Sequence, residues 1–218
     1  DKFIFSSSCS VYGINDKICD ERTTPEPISL YASSKLDGEN KLQNEQNKFS
    51  EITIFRFSTI YGVSLRVRFD LVANLFYAKA RWENKITLFG GWQWRPFIHV
   101  TDAALSIKLA IKKENTGFNV FNVGLENGNS DLSNLANLTQ KNYPDSEIIE
   151  LGSDNDARNY KVNFSKFQNH FGNVLKYDLE NGVNKLFNDL RYFNKNWKDD
   201  IYSNYQTTKK NETLLKNG

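Results

Sequence analysis

Apolar positions along the chain follow two rhythms, and each rhythm predicts its own kind of element. Short β-prone blocks occupy residues 2–7, built on Phe3-Ile4-Phe5, and residues 51–58, which read E-I-T-I-F-R-F-S. Three more follow at 86–89, closed by Gly90-Gly91, at 120–124 and at 147–151. Between them lie proline-free stretches with a polar face: 29–48, 68–82, 101–112, 131–142 and 179–193. In the second of these, Leu71, Leu75 and Ala78 recur at helical spacing. Thr101 stands where it would cap the third, which ends in lysines at the negative end of its dipole. Two prolines within residues 23–27 demand a loop, and the mostly polar stretch after Lys195 reads as a loosely attached tail. Strands alternating with helices indicate an α/β fold with a parallel sheet.

Charge narrows the partner classes. The 28 basic and 26 acidic residues leave a formal charge of +2, too little to provide a global field for nucleic acid or an anionic membrane. No apolar run approaches the roughly 20 residues that a membrane span needs. Asp1-Lys2-Phe3-Ile4-Phe5 runs straight into serines and is no secretory signal. Cys9 and Cys19, outside any C-x-x-C pattern, suggest a reducing, cytoplasmic setting. The sequence holds no methionine and opens two residues before a strand, so the expectation is a chain that begins inside something larger. None of the twelve glycines forms G-x-G-x-x-G or G-x-x-G-x-x-G, the turn that cradles a dinucleotide pyrophosphate.

Tyr31-Ala32-Ser33-Ser34-Lys35 carries the sharpest chemistry. Positions i and i+4 share a helix face, so a phenol and an ammonium point the same way. A phenol titrates near 10, and a nearby cation favours its phenolate, which suits a general acid or base for carbonyl–alcohol interconversion. Such a pair also arises by chance on solvated helices, so the surroundings decide. Upstream, Phe3-Ile4-Phe5-Ser6-Ser7-Ser8-Cys9-Ser10-Val11-Tyr12-Gly13 is a strand ending in hydroxyls, where α/β ligand sites lie.

With these residues the chain resembles the extended short-chain dehydrogenases that act on nucleotide sugars, the NAD-dependent epimerases and dehydratases. That family carries S-S-x-x-V-Y-G after a strand and Y-x-x-x-K twenty-odd residues later, and Ser8 to Tyr31 is 23. Phe55-Arg56-Phe57-Ser58-Thr59-Ile60-Tyr61-Gly62 is similar to its R-x-x-x-x-Y-G segment. The stretch from Trp94 to Asp102 is similar to its R-[DP]-[FY]-I-H-V-x-D segment. Phe121-Asn122-Val123-Gly124 and the run from Tyr160 to Lys166 match two later motifs. The resemblance implies the C-terminal part of a Rossmann-like parallel sheet over residues 1–64, with a strand returning near 97–124. A small α/β substrate-binding domain over 65–195 and a tail over 196–218 would complete it.

The resemblance also implies roles. Ser8 would bond the sugar 4-oxygen, Tyr31 would be the acid/base, and Lys35 would hold the nicotinamide ribose. Phe57 and Ser58 would lie beside the cofactor, NAD with NADP not excluded. Arg95 would bind the substrate diphosphate and Arg158 would be a looser second ligand. Thr87, Leu88 and Phe89 would line the base, and Asp70 and Leu71 would contact diphosphate or sugar. The implied partner is a nucleotide-diphosphate sugar, the implied assembly a homodimer, and no metal is expected.

Departures from the pattern narrow the chemistry. Where the family's dehydratases place Asp-Glu after the catalytic hydroxyl, this chain has Cys9 and Ser10, so dehydration and C3/C5 epimerisation are disfavoured. The expectation is a 4-epimerase working through a 4-keto sugar, with a 4-keto reductase or an inactive sugar-nucleotide-binding remnant as alternatives. Thr59 replaces the family's usual asparagine. His99 and Cys9 read as buried structural residues, and Arg66 with Arg68 as a solvated basic pair or a phosphate clamp.

Overall fold

A computed structural model describes residues 1–114, 116–152 and 157–209. Its strands are β1 (Lys2–Ser8), β2 (Ile14–Cys19), β3 (Glu51–Phe57), β4 (Thr59–Tyr61), β5 (Lys85–Phe89), β6 (Trp94–His99), β7 (Gly117–Val123), β8 (Asn129–Asp131), β9 (Glu147–Leu151) and β10 (Asn159–Val162). Its helices are α1 (Leu30–Asn44), α2 (Val72–Glu83), α3 (Val100–Lys112), α4 (Leu132–Asn142), α5 (Ser165–Phe171) and α6 (Leu179–Leu190). The fold is α/β.

β3 organises the first layer. It lies between β1 and β7, parallel to both, and every one of its residues is buried. A central parallel strand is covered on both faces, which is why E-I-T-I-F-R-F reads as an apolar run. Its three polar residues must then find partners. Glu51 takes Lys2 at 3.1 Å and the Thr53 hydroxyl at 3.0 Å. Arg56 reaches across to α1, where Glu39 receives its Nε at 3.0 Å and its Nη2 at 2.6 Å. On one face Phe55 and Phe57 pack with Phe121, Phe167, Ile98 and Ala103.

A second layer gathers α2, α4 and α6 around Tyr77, Leu88, Leu135 and Leu186, beside the parallel pair β5–β9. β6 joins the layers, parallel to β4 and antiparallel to β8, while β2 pairs with β10.

Four expectations change. The helix predicted over 29–48 stops at Asn44, with Ser29 capping it through Ala32 N, and Gln46–Lys48 make a 3-10 turn. The helix predicted from 68 starts at Val72, because Leu71 is extended and Arg68 is drawn to Asp70. His99, and not Thr101, caps α3. Finally, the first part of the predicted tail, 196–209, is anchored, while 210–218 lie outside the described residues. Trp197 and Tyr202 set their rings 6.2 and 5.7 Å from Phe69, and Tyr202 is buried.

His99 gives the fold an acid sensitivity. Its Nδ1 accepts from Thr101 N at 3.3 Å, so the ring proton sits on Nε2, which is buried with no hydrogen-bond partner among the described residues. Burial, then Lys185, hold its pKa below the ordinary histidine value, with Asp102 and Asp189 opposing. A second proton would abolish the cap and place a cation at the positive end of α3. A base whose folded pKa is depressed contributes its full stability above its unfolded value, near 6.5, and loses it as pH falls. Unfolding free energy should therefore drop between about pH 7.5 and pH 5, with His170, also lowered by burial, adding in the same sense. His99→Gln should flatten that slope in denaturant titrations at the two pH values, and an unchanged slope would clear His99.

The Arg56–Glu39 pair gives a second expectation. Both side chains are about 95% buried, and removing one partner leaves an uncompensated charge. Glu39→Ala should cost about 3–5 kcal/mol in urea unfolding. A loss under about 1 kcal/mol would mean that water or another group replaces the carboxylate.

Candidate active site

Ser8 ends β1 at the carboxyl edge of the sheet. Its hydroxyl oxygen accepts two hydrogen bonds, from Ser10 N at 3.2 Å and from Ser10 Oγ at 2.9 Å. A hydroxyl has two lone pairs and one proton, so Ser8 can only offer that proton outward. Next to it, Ser7 donates to Glu39, within the network that Arg56 anchors.

That network also sets α1. Tyr31, Lys35 and Glu39 follow at four-residue intervals along one helix face. Glu39 faces inward, Lys35 Nζ donates to Ser6 O at 2.9 Å, and Tyr31 stands 56% exposed in the first turn. The ammonium lies 5.6 Å from the Tyr31 ring centroid and 5.3 Å from that of Phe5. Gly38 permits this approach, since a Cβ there would fall 2.6 Å from Phe5 Cζ. The other tyrosine in this corner, Tyr12, is fully buried between Arg56 Nη1 at 2.9 Å and Asn122 Oδ1 at 2.8 Å. Burial, against the pull of Arg56, pushes its phenol up, so it stays protonated.

A second group of predicted residues lines a cleft of about 310 Å³ between α2 and the β5–β6 region. Asp70, Leu71, Thr87, Phe89, Arg95 and Arg158 all face it. Arg95 is 4% exposed, and its Nη1 donates to Trp94 O at 2.9 Å and to Arg158 O, which fixes the guanidinium at the cleft wall. Thr59 lines the same cleft. The two groups meet through the sheet, because Ser8 pairs with Phe57 and Thr59 follows two residues later.

Three predicted residues do not face a ligand site. Leu88 alternates with Thr87 and Phe89 along β5 and points into the core, 2% exposed. Phe57 packs its ring 5.7 Å from Phe55 and is 4% exposed, with no face left for a cofactor. The Ser58 hydroxyl is enclosed under Gly124, where a Cβ would come within 2.5 Å of it. Of the four residues expected beside NAD, Tyr31 and Lys35 are the two whose side chains stay accessible.

Sequence reasoning missed Lys79 and Gln93, which also line the cleft. Lys79 donates to Thr87 Oγ1 at 3.3 Å and lies on the α2 face already marked by Leu75 and Leu71, at four-residue steps. That spacing was the available signal.

The chain spans about half the length of the curated proteins it resembles. It is 32% identical over 124 residues to an uncharacterised UDP-glucose epimerase of Bacillus subtilis, covering 56% of this chain and 39% of that protein. Against dTDP-D-glucose 4,6-dehydratase of Bos taurus the identity is 29% over 212 residues, 91% of this chain and 58% of the other. Among solved structures, UDP-glucose 4-epimerase of Thermotoga maritima with UDP-glucose superposes with a TM-score of 0.77 at 26% identity, over 87% of this chain and 63% of that one. The model of the NAD dependent epimerase/dehydratase family matches residues 1–124, more than half of the chain. The chain belongs to that family of NAD-dependent enzymes.

Proposed function

We propose that this chain is the catalytic and nucleotide-sugar-binding part of an NAD-dependent nucleotide-sugar 4-epimerase. The observation that carries the choice among the family's reactions is the chemistry of the two residues after Ser8. Cys9 is fully buried, donates to Arg56 O at 3.1 Å, and has its thiol pushed up by burial against the pull of Arg56. Ser10 is 3% exposed, and its hydroxyl is committed to Ser8. Neither can add or remove a proton at a neighbouring sugar carbon, as water elimination requires. What remains is proton transfer at one oxygen.

In this reading the cleft holds a nucleoside diphosphate, with Arg95 as the fixed anion ligand and Arg158 beside it. Phe89 and Thr87 line the base end, and Asp70 and Leu71 face the diphosphate or sugar. Ser8 donates to the sugar 4-oxygen, and Tyr31 takes the 4-hydroxyl proton and later returns it. Lys35 holds its charge beside the phenol, with its ammonium oriented by Ser6 O. Tyr31 and Lys35 would hold NAD, which would supply the reversible hydride acceptance at C4. Residues 1–64 with the strand at 117–123 would serve the cofactor side and 65–195 the sugar-nucleotide side. The pyrophosphate cradle would come from sequence outside the 218 residues. A reducing, cytoplasmic setting is supported by the two buried free thiols, and the homodimer rests on the resemblance alone.

The test is product identity. The full-length enzyme carrying this chain should convert UDP-glucose or dTDP-glucose to its C4 epimer, followed by proton NMR. Accumulation of a 4-keto-6-deoxy sugar would instead mean a dehydratase. In the same enzyme Tyr31→Phe should lower kcat by at least ~10²-fold with KM little changed. A kcat within threefold of wild type would remove Tyr31 from the chemistry.

A further inference from the structure

The described residues after Lys195 pack on two neighbours of the cleft, Phe69 and Glu83. Phe69 N donates to Tyr202 O at 3.0 Å, and the Phe69 ring is surrounded by Trp82, Phe193, Trp197 and Tyr202. On the other side Lys198 pairs with Glu83 at 2.8 Å, and Glu83 lies 3.7 Å from Lys79, a cleft residue. Through Phe69 the segment holds the loop that presents Asp70 and Leu71.

Asp70 is the sensitive point. Its Oδ1 accepts from Arg68 Nε at 3.0 Å, and its Oδ2 accepts from Arg68 Nη2 at 3.0 Å and from Asn204 N at 2.9 Å. The Asn204 side chain accepts from Arg66 in turn, so both arginines of the basic pair are engaged within this corner. Burial alone would raise the Asp70 carboxyl, but Arg68 and the Asn204 N–H hold it below the ordinary carboxylate range. It is an anion in the wall of a cleft that also contains Arg95 and Arg158. Unless held, such a carboxylate would repel a diphosphate and compete for those arginines.

We propose that Asn204 is a positioning residue for this cleft: its backbone N–H, together with Arg68, turns the Asp70 carboxylate toward the C-terminal segment and leaves Arg95 to the ligand. The proposal rests on the reading of the cleft as a nucleoside-diphosphate site.

The local backbone supplies a specific test. Asn204 opens the helical run 204–209, and Ser203 before it is extended, at φ −129° and ψ 123°. Proline is accepted at the first helical position and requires an extended predecessor. Asn204→Pro therefore removes the N–H without obstructing the chain, while Asn204→Ala keeps it. UDP and NAD are titrated calorimetrically into the full-length enzyme and both variants, with thermal midpoints and hydrogen exchange over residues 66–71 measured in parallel. The expected result for Asn204→Pro is a rise of about tenfold in the Kd for UDP, the scale of one hydrogen bond to a charged group. Exchange at 66–71 should quicken, with NAD affinity and thermal midpoint unchanged and Asn204→Ala close to wild type. A UDP Kd within twofold of wild type, an equal loss in Asn204→Ala, or a loss that extends to NAD would overturn the proposal. If the wild-type enzyme binds neither UDP nor dTDP, the reading of the cleft fails on its own. Exchange at 66–71 then decides whether Asn204 holds the Asp70 loop, and an unchanged rate would overturn that.

Discussion

Arg56 is the penultimate residue of β3, the one strand among the described residues that is buried from end to end, and a guanidinium there must be paired or the strand cannot remain central. Glu39 supplies the pairing from α1, and Ser7 and Tyr12 complete the set from β1 and the turn after it. The consequence reaches well beyond the pair. Once Glu39 is committed to Arg56, the rotation of α1 about its own axis is set, and so is the direction of everything on that face. Lys35 and Tyr31 lie one and two turns back along it, which brings the ammonium to Ser6 O and leaves the phenol at the rim. The residues proposed to move the proton are thus oriented by an ion pair that takes no part in the reaction.

The same corner explains why the end of β1 is polar. Ser6 gives its carbonyl to Lys35, Ser7 its hydroxyl to Glu39, and Ser8 both lone pairs to Ser10. Three consecutive serines serve three separate partners. An apolar residue at Ser7 would leave an oxygen of Glu39 short of a donor inside the protein. One at Ser10 would free a lone pair on Ser8, which could then point its proton inward.

Much of this was legible in the order of residues, and the exceptions have physical causes. The sheet strands at 2–7, 51–58 and 120–124 announce themselves because parallel strands buried on both faces are continuous apolar runs. I-N-D-K-I-C and W-R-P-F-I-H do not, because each pairs with a neighbour for only three residues and carries polar side chains or a proline. Helix starts were misplaced where side-chain contacts decide them, as at Asp70, which is held by Arg68 and by Asn204 N, or where an unusual residue such as His99 caps. The tail misled because its anchors, Trp197 and Tyr202, are two rings in a polar background, and two rings make no periodic pattern. In the site, Tyr31 and Lys35 were readable by spacing, and the same spacing extended one turn further reaches Glu39. Leu88 and Phe57 were misplaced because a motif names a segment, whereas the alternation of a strand decides which of its side chains faces the ligand.

The two halves of the candidate site are held by different kinds of force, and on the proposed function that difference follows from what each would do. α1 buries only Ala32 and Glu39 completely, so apolar contact contributes little to its placement. Its orientation comes from hydrogen bonds and an ion pair, which are directional. The cluster around Phe69, behind the loop that carries Asp70 and Leu71, is the reverse, an assembly of five aromatic rings. Apolar burial is non-directional: it fixes a shape and tolerates small rotations. On the proposed function, proton transfer between a phenol and a sugar oxygen would fail when an angle is lost, whereas a cleft for a nucleotide would need chiefly its dimensions. The exception within the cleft is Asp70, a charge whose direction matters, and there the aromatic cluster behind it is supplemented by the directional contacts of Arg68 and Asn204.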